Sequence, residues 1–446
     1  MNRSSGFLHL VFPAMLALVA LTFLLSGRDF SVVVTDMAGA VADDPVRHPA
    51  VVWAQRGVSL LILAASAERI FSQITRNKPV PSLVLVWTFF GYWFTSVAAT
   101  ALFSAHPQMS HEYLYALAVG MAAALAVPVE RDKVLDASRN ALIVFMLACV
   151  ALIPVMPNLV LHSNYAQGFI PGLPRLTGLA SHSVALGMLA QIGLLLLWTR
   201  PFSSRWVNRL AWLLSIVVLF LSQAKTAWIA FLICTVVMLV IRQGSSFSRR
   251  IGDAKGQSFG VVTCLGFIAV VLMVLAALLV GDIQTEVAGF FDTSEGEQLL
   301  SLTGRDRIWA IAIEEWKSNP LFGYGHSLWD AEFRTSIGMA NATNAHNQFM
   351  DTLARSGSVG AVGLVLYAVA LLALSIRYAK ATGGLSLALF LSMALRAISE
   401  VPMALVGYGV ELFTHLLLIV TLAAAAASRR PVAPIATGGR QFGVTP

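Results

Sequence analysis

The chain has 446 residues, of which 57% are hydrophobic and only 12% are charged. Soluble domains carry about 25% charged residues, so this composition excludes a soluble globular protein. The net charge of +7 does not indicate nucleic-acid binding, because the basic residues lie in short segments beside apolar stretches, where they orient a membrane protein.

Apolar stretches long enough to cross a bilayer core of about 30 Å recur along the whole chain. The first, Phe7 to Leu25, lacks a small-residue cleavage site and is interpreted as a membrane helix rather than a signal peptide. All three cysteines lie in apolar stretches without metal-ligand spacing, so we expect neither disulfides nor a metal site. The predicted fold is all-α and polytopic, with about twelve transmembrane helices. Their ranges are 7–25, 50–68, 80–103, 112–128, 139–156, 182–199, 206–222, 225–241, 259–281, 357–376, 384–400 and 404–427.

The basic residues predict the orientation of these spans. With a cytoplasmic start, 19 of the 30 basic residues fall in inner segments and nine in outer ones, as the positive-inside rule requires. Both termini are therefore predicted to be cytoplasmic, with one large loop outside. The predicted organisation is membrane helices 1–9 over 1–281, the large outer loop over 282–356, helices 10–12 over 357–427, and a disordered cytoplasmic tail over 428–446.

The large outer loop is predicted to contain short helices. Thr303 is a suitable cap, and apolar residues from Ile308 to Trp316 recur at helical spacing until Asn319-Pro320 ends the helix. Glycines then indicate a turn. A second helix is expected to begin near Asn344 and to end at Gly357, with its apolar side chains facing the membrane domain.

Several cations lie in segments that the positive-inside rule should deplete of them. They are Arg175, Lys225, Arg305 and Arg307, with His346 in the large loop. If they converge, they would bind a phosphate-bearing lipid head group, since the arginine fork and helix N-termini both suit phosphate. A nearby histidine would be a candidate general base. The alternatives are headgroup anchors, solvated loop charges and a surface histidine, and sequence spacing does not decide between them.

Charged residues inside the predicted spans form a second set. Arg396 and Glu400 are four residues apart on one helical face and are expected to neutralise each other. Glu411 and His415 have the same spacing, whereas Arg56 has no evident local partner. Structural pairing and a role in a substrate cavity both stay open for these residues.

Two absences limit the chemistry. The sequence has no Gly-rich phosphate loop with Lys-Ser or Lys-Thr, so ATP-driven transport is not indicated. It also has no Asp-x-Asp pair for a metal-bound nucleotide sugar. If the protein acts on sugars, the donor is expected to be attached to a lipid already and to face outward.

Four segments of the second half resemble a known signature: Leu302-Thr-Gly-Arg305-Asp-Arg-Ile-Trp309, Asn319-Pro-Leu-Phe-Gly323-Tyr-Gly325, Ala345-His346-Asn347-Gln-Phe and Gly357-Ser-Val-Gly360. Two upstream patches fit it as well: Arg175-Leu-Thr-Gly178, followed by His182 and Gly187, and Ser222-Gln-Ala-Lys225-Thr226. Together they resemble the O-antigen ligase and polysaccharide polymerase family of bacterial membrane glycosyltransferases.

This resemblance implies a reaction and a site. Such enzymes move a glycan from undecaprenyl diphosphate to an acceptor sugar at the periplasmic face of the inner membrane, without nucleotide sugar, metal or other cofactor. Arg305 and Arg175 would hold the diphosphate, with Arg307 and Lys225 beside it. His346 would deprotonate or orient the acceptor hydroxyl. Lys225 stands where many members carry arginine, so it would act as a point charge only. His182 and Asn347 would position the substrate.

The resemblance leaves two acceptors open. A polymerase passes the glycan to a lipid-linked repeat unit of an exopolysaccharide or O-antigen, and a ligase passes it to the lipid A core. We favour the polymerase, because polymerases are the more varied group. A secondary transporter or a flippase of the same lipid is a more distant alternative. Paired broken helices are lacking, and transport does not explain the long outer loop.

Overall fold

The computed structural model describes residues 6–31, 48–163, 173–251, 305–340, 342–405 and 410–429, with the backbone alone for 244–251. These residues are mostly helical, with one short antiparallel ribbon. The predicted span 259–281, the predicted cap Thr303 and the tail from 430 onward lie outside the described residues.

The helices are numbered in chain order. They are α1 (Leu8–Leu24), α2 (Pro49–Thr75), α3 (Leu83–Trp93), α4 (Ala99–Phe103), α5 (Tyr113–Ala124), α6 (Pro128–Ala151), α7 (Pro157–Val160), α8 (Ser183–Thr199), α9 (Arg205–Leu221), α10 (Lys225–Ile251), α11 (Arg305–Ser318), α12 (Ala331–Ser336), α13 (Gln348–Tyr378), α14 (Leu385–Arg396) and α15 (Val410–Ser428). A π-helical segment, Phe94–Ala98, joins α3 to α4. The strands are β1 (Leu161–His162) and β2 (Arg175–Leu176), which pair antiparallel.

Six helical segments among the described residues are long and apolar enough to cross a membrane. They are Pro49–Thr75, Leu83–Phe103, Pro128–Ala151, Lys225–Gln243, Gln348–Tyr378 and Val410–Ser428. Helices α1, α5, α8 and α14 are apolar but shorter. The prediction of an all-α membrane protein is confirmed, whereas the count of twelve spans and the side on which the large loop lies stay predictions.

Two helices form the centre of the bundle. Helices α8 and α15 are buried along most of their length, as expected for helices that are apolar on every side. Helix α15 contacts α5, α6 and α14, and α8 contacts α6, α9 and α10. At the periphery, α2 leaves Trp53, Leu61 and Phe71 about 70% exposed. Exposure of such side chains to water is unfavourable, which fits contact with lipid.

Helix α14 ends at Arg396, four residues before the predicted end of this span. Glu400 therefore lies in the connection that follows, and the expected Arg396–Glu400 pair does not form. The Arg396 guanidinium instead donates to the Glu411 carboxylate at 3.3 Å, while Glu400 turns toward His346. The prediction was wrong because it assumed that the helical spacing continued to residue 400.

The segment 305–347 and the start of α13 share a hydrophobic cluster that is separate from the bundle core. Its fully or nearly fully buried members are Ile308, Ala312, Leu328, Trp329, Phe333, Ala342, Ala345 and Ala354. Helix α11 ends directly before Asn319-Pro320, as predicted. The second predicted helix begins at Gln348 rather than near Asn344, because the Asn347 side chain accepts hydrogen bonds from the backbone N–H groups of Phe349 and Met350.

Candidate active site

A cavity of about 460 Å³ opens where α3, α8, α13 and α15 meet the connecting segments between the helices. Its lining is mostly polar. Its charged and polar lining residues include Glu112, Tyr113, His182, His326, Gln348, Asp351, Thr352, Arg355, Glu400 and Glu411. A concave site with convergent polar groups is the usual setting for small-ligand binding.

His182 is the predicted site residue that lines this cavity directly. It is the N-cap of α8, where its Nδ1 accepts a hydrogen bond from the backbone N–H of Ala185 at 3.3 Å. Since Nδ1 is the acceptor, the proton of the neutral ring resides on Nε2. The electrostatic neighbours of the ring are Glu400, Glu411, Arg396 and His346. The sequence-predicted His182 and His346 are therefore brought to one place.

His346 adjoins the cavity through Glu400. The Nδ1 atom of His346 lies 3.6 Å from Glu400 Oε2, and Glu400 is only 8% exposed. Burial by itself would raise the pKa of the Glu400 carboxyl, but the neighbouring His346, His182 and Arg396 lower it below its usual range. Glu400 is therefore a carboxylate at neutral pH, and it is placed to orient His346 and to stabilise its protonated form.

The backbone of His346 is itself unusual. Its φ of 47° lies in the left-handed region, which costs a non-glycine residue free energy and is found disproportionately at functional sites. The backbone N–H of His346 donates to Asn344 Oδ1 at 2.8 Å. Asn347, the next residue, caps α13 and donates from Nδ2 to the Ile398 carbonyl at 3.3 Å. The Asn347 amide therefore fixes the backbone on which His346 is presented.

The first two turns of α13 present a polar face to the cavity. Gln348, Asp351 and Thr352 are each no more than 5% exposed, whereas Phe349 is 46% exposed. The expectation that the apolar side chains of this helix face the membrane domain was therefore wrong. The buried face is polar because it lines a cavity. Its network includes a bond from Arg355 Nε to Asp351 Oδ2 at 3.0 Å and one from the Ala345 N–H to Asp351 Oδ1 at 3.0 Å.

The glycine-rich family motif at residues 320–325 forms a strip beside this helix. Gly323 and Gly325 both have positive φ, and the segment between them runs between residues 105–106 and 354–355. Backbone N–H groups of Ala105 and His106 donate to this segment. Further along, the N–H groups of Ser358 and Val359 donate to carbonyls of the Asn-Pro-Leu motif at 2.8 and 3.1 Å.

Gly357 permits the closest of these approaches. Its φ is 63°, and α13 changes direction there. A Cβ atom at this position would lie 2.3 Å from the Leu321 carbonyl oxygen, which is far too close for any side chain. The predicted helix break at Gly357 is confirmed.

The two upstream patches also meet. Arg175 Nε donates to the Ser222 carbonyl at 2.9 Å, and Gly187 allows α8 to approach the turn that precedes Lys225. A Cβ atom on Gly187 would lie 2.6 Å from Ala224 Cβ. Lys225 is exposed as the first residue of α10. The chain segments that carry Arg175 and Lys225 are therefore in contact.

Arg305 and Arg307 lie in the first turn of α11. Arg307 is exposed and donates to the Ile337 carbonyl at 2.9 Å. We use the name cationic loops for the segments that carry Arg175, Lys225, Arg305 and Arg307, each of which lies at the start of a helix or strand. Neither Arg175 nor Arg305 is among the side chains that line the cavity, so the convergence of these arginines with His346 stays a prediction.

Two functional candidates, Asp351 and His326, escaped the sequence analysis, whereas Glu400 and Glu411 were named there with a cavity role as one open alternative. His326 stacks obliquely on Tyr113, with ring centroids 4.5 Å apart, and burial lowers its pKa. The charges inside predicted spans gave a sequence signal for Glu400 and Glu411, but not for Asp351 or His326. Among the described residues, no three His, Cys, Asp or Glu side chains are grouped as metal ligands would be.

The comparison with known families agrees with the motifs. A family model described as O-antigen ligase matches residues 210–365, roughly a third of the chain. The resemblance read from the motifs is thereby confirmed. It supports a glycosyltransferase-like membrane enzyme of the ligase or polymerase type, with lipid-linked glycans as its substrates. No curated protein matches the chain.

Proposed function

We propose that the protein transfers a glycan from undecaprenyl diphosphate to an acceptor sugar at the periplasmic face of the bacterial inner membrane, and that it polymerises lipid-linked repeat units. The observation that carries the proposal is the buried Glu400 carboxylate, which lies outside the matched family region but faces His346 inside it and shares a cavity with His182. An oriented histidine beside a polar cavity suits deprotonation of a sugar hydroxyl.

In the proposed step, the acceptor hydroxyl oxygen attacks the anomeric carbon of the donor glycan. The bond from that carbon to the diphosphate oxygen breaks, and undecaprenyl diphosphate leaves with the electron pair. The hydroxyl proton passes to His346 Nε2, since Nδ1 faces Glu400. Arg305 and Arg175, assisted by Arg307 and Lys225, stabilise the negative charge that develops on the leaving diphosphate. No metal or other cofactor takes part.

The remaining site residues position the reactants. His182 presents Nε2–H toward the cavity, where it donates to a sugar oxygen. Asn347 acts through the backbone, because its side chain fixes the start of α13 beside His346.

The proposal includes a topology. Twelve spans would place both termini in the cytoplasm and the loop 282–356 in the periplasm, between helices 1–9 (residues 1–281) and helices 10–12 (357–427), with a cytoplasmic tail over 428–446. The distribution of basic residues supports this orientation. Cysteine accessibility at Arg76→Cys and Arg307→Cys, probed with a membrane-impermeant thiol reagent on whole cells, tests it. Labelling at residue 307 but not at residue 76 is expected.

The reaction is tested with purified protein and undecaprenyl diphosphate oligosaccharide extracted from the source cells, with and without lipid A core. Lipid-linked products with more repeat units would support polymerisation. Glycan attached to the core would support the alternative, a ligase. Absence of both products from folded protein would overturn the proposed transfer.

A further inference from the structure

The cavity carries more negative than positive charge. Four carboxylate side chains line it: Glu112, Asp351, Glu400 and Glu411. They come from four separate parts of the chain, namely the segment before α5, helix α13, the connection after α14 and the start of α15. The acidic character is therefore a property of the assembled cavity and not of one local sequence.

The cationic groups near the cavity do not balance these carboxylates. Among the described lining residues, Arg355 is the one lysine or arginine. Its guanidinium is engaged by Asp351 and by the His326 carbonyl oxygen at 2.8 Å. Arg396 lies behind the lining, where it pairs with Glu411 at 3.3 Å. Two of the four carboxylates, Glu112 and Glu400, thus form no ion pair with an arginine within 4.0 Å among the described residues, although Arg396 acts on Glu400 from farther away.

The other lining groups suit a sugar ring. Glu400 is more than nine-tenths buried and lies on the cavity wall, and its neighbour His346 Nδ1 is 3.6 Å from Oε2, longer than a good hydrogen bond. A buried carboxylate that is not fully hydrogen-bonded carries a desolvation cost that hydroxyl donors of a ligand would relieve. Tyr113 and His326 present aromatic surfaces, against which the C–H face of a sugar ring can pack.

We propose that the cavity binds the sugar that presents the attacking hydroxyl, and that it accepts neutral or amine-bearing sugars while excluding sugars that carry a carboxylate. This inference rests on the proposed function, because it assigns the acceptor end of the same reaction. The anionic part of the substrate, the diphosphate, is held by the cationic loops, and the carboxylates of the cavity repel a second anion. Like charges brought together in a desolvated site cost several kcal/mol.

The test uses inhibition of transfer between native lipid-linked repeat units, after that transfer has been established with the purified protein. The inhibitors are the p-nitrophenyl glycosides of glucuronic and galacturonic acid, with their methyl esters as neutral controls of nearly equal size. We expect each methyl ester to inhibit at least about tenfold more strongly than its acid, and the difference to shrink at high ionic strength.

A charge-reversed variant identifies the source of this selectivity. Glu112 is exposed, so Glu112→Lys should fold, and acid and ester are compared within this variant so that any change in its basal transfer cancels. Its preference for the ester over the acid should fall by at least about threefold. Equal inhibition by acid and ester in the wild type, an unchanged preference in Glu112→Lys, or no inhibition by any glycoside would overturn the inference. None of these results would touch the proposed function, which fails only if the native transfer is absent.

Discussion

The cationic loops and the acidic cavity hold their charged side chains in different ways. In the cationic loops, Arg175 and Arg307 donate to backbone carbonyl oxygens, and such an oxygen carries no full charge of its own. In the cavity, Asp351 and Glu411 are paired with side-chain cations, so their charge is partly compensated. The difference teaches that one region can attract a strongly charged anion, while the other is suited to polar groups of low charge.

The largest effect is expected from His346→Ala, which removes the proposed base. Transfer should fall by about 10²- to 10⁴-fold, measured as product formed from lipid-linked oligosaccharide at equal protein amount. His111→Ala is the matched control, because His111 is exposed and lies outside the cavity lining. Normal transfer by His346→Ala would remove this residue from the site.

Substitution of Arg305 tests the cationic loops separately. Arg305→Ala should lower the rate of transfer by at least about 100-fold, the cost of removing a donor from a developing anion. Arg305→Lys should restore little, since lysine cannot form the planar two-point contact with phosphate. Arg76→Ala, an exposed arginine at the end of α2, serves as control. A Lys variant as active as the wild type would contradict bidentate binding.

The Glu400→Gln variant tests the cavity side. It keeps the size of the side chain but removes the charge that faces His346, and we expect kcat to fall about tenfold or more with little change in KM. Because the pKa of Glu400 is lowered, the carboxylate is present at neutral pH, and wild-type activity should be lost as the pH falls through that pKa. The pH profile of the Gln variant should differ from that of the wild type on the acid side, because the variant has no carboxylate at this position to titrate. An unaltered pH profile would argue against the role of Glu400.

One glycine in the segment 282–356 and one directly after it form a matched pair for a stability test. Gly357 and Gly338 have φ values of 63° and 65°, so alanine is strained at both by about 1–2 kcal/mol. A Cβ atom at Gly338 meets nothing within 4 Å, whereas one at Gly357 meets the Leu321 carbonyl. Gly357→Ala should therefore lower the melting temperature in detergent clearly more than Gly338→Ala. Equal shifts in melting temperature would show that the backbone at Leu321 moves away from a Cβ atom at low cost.

The smallest effect is expected from Lys225→Arg. Lys225 is exposed at the start of α10. An arginine there keeps the positive charge and adds a planar two-point contact with phosphate. We expect transfer to change by no more than about threefold, and Lys225→Ala to be worse than Lys225→Arg, as measured by initial rates. An inactive Arg variant would show that the site needs the lysine itself.

Local features of the large loop could be predicted from sequence. The end of α11 before Asn319-Pro320 and the break at Gly357 follow from backbone restrictions that act within a few residues. The cations of the loops could be named because the positive-inside rule makes each of them conspicuous.

The acidic cavity could not be predicted in the same way. Its carboxylates are distant in the chain, and helical spacing gave the wrong partners for Arg396 and Glu400 because α14 ends early. The polar buried face of α13 was missed for a related reason, since apolar side chains were assumed to be the buried ones. Only the packing of separate helices decides which polar groups share a cavity.

The strip of residues 320–325 beside α13 has a consequence for the motions open to the start of that helix. Residues 320–325 are joined by backbone hydrogen bonds to residues 105–106 on one side and to 354–359 on the other. Swinging this strip away would break six such bonds, each worth about 1 kcal/mol net, in every catalytic cycle. These three parts of the chain should therefore move together as one unit.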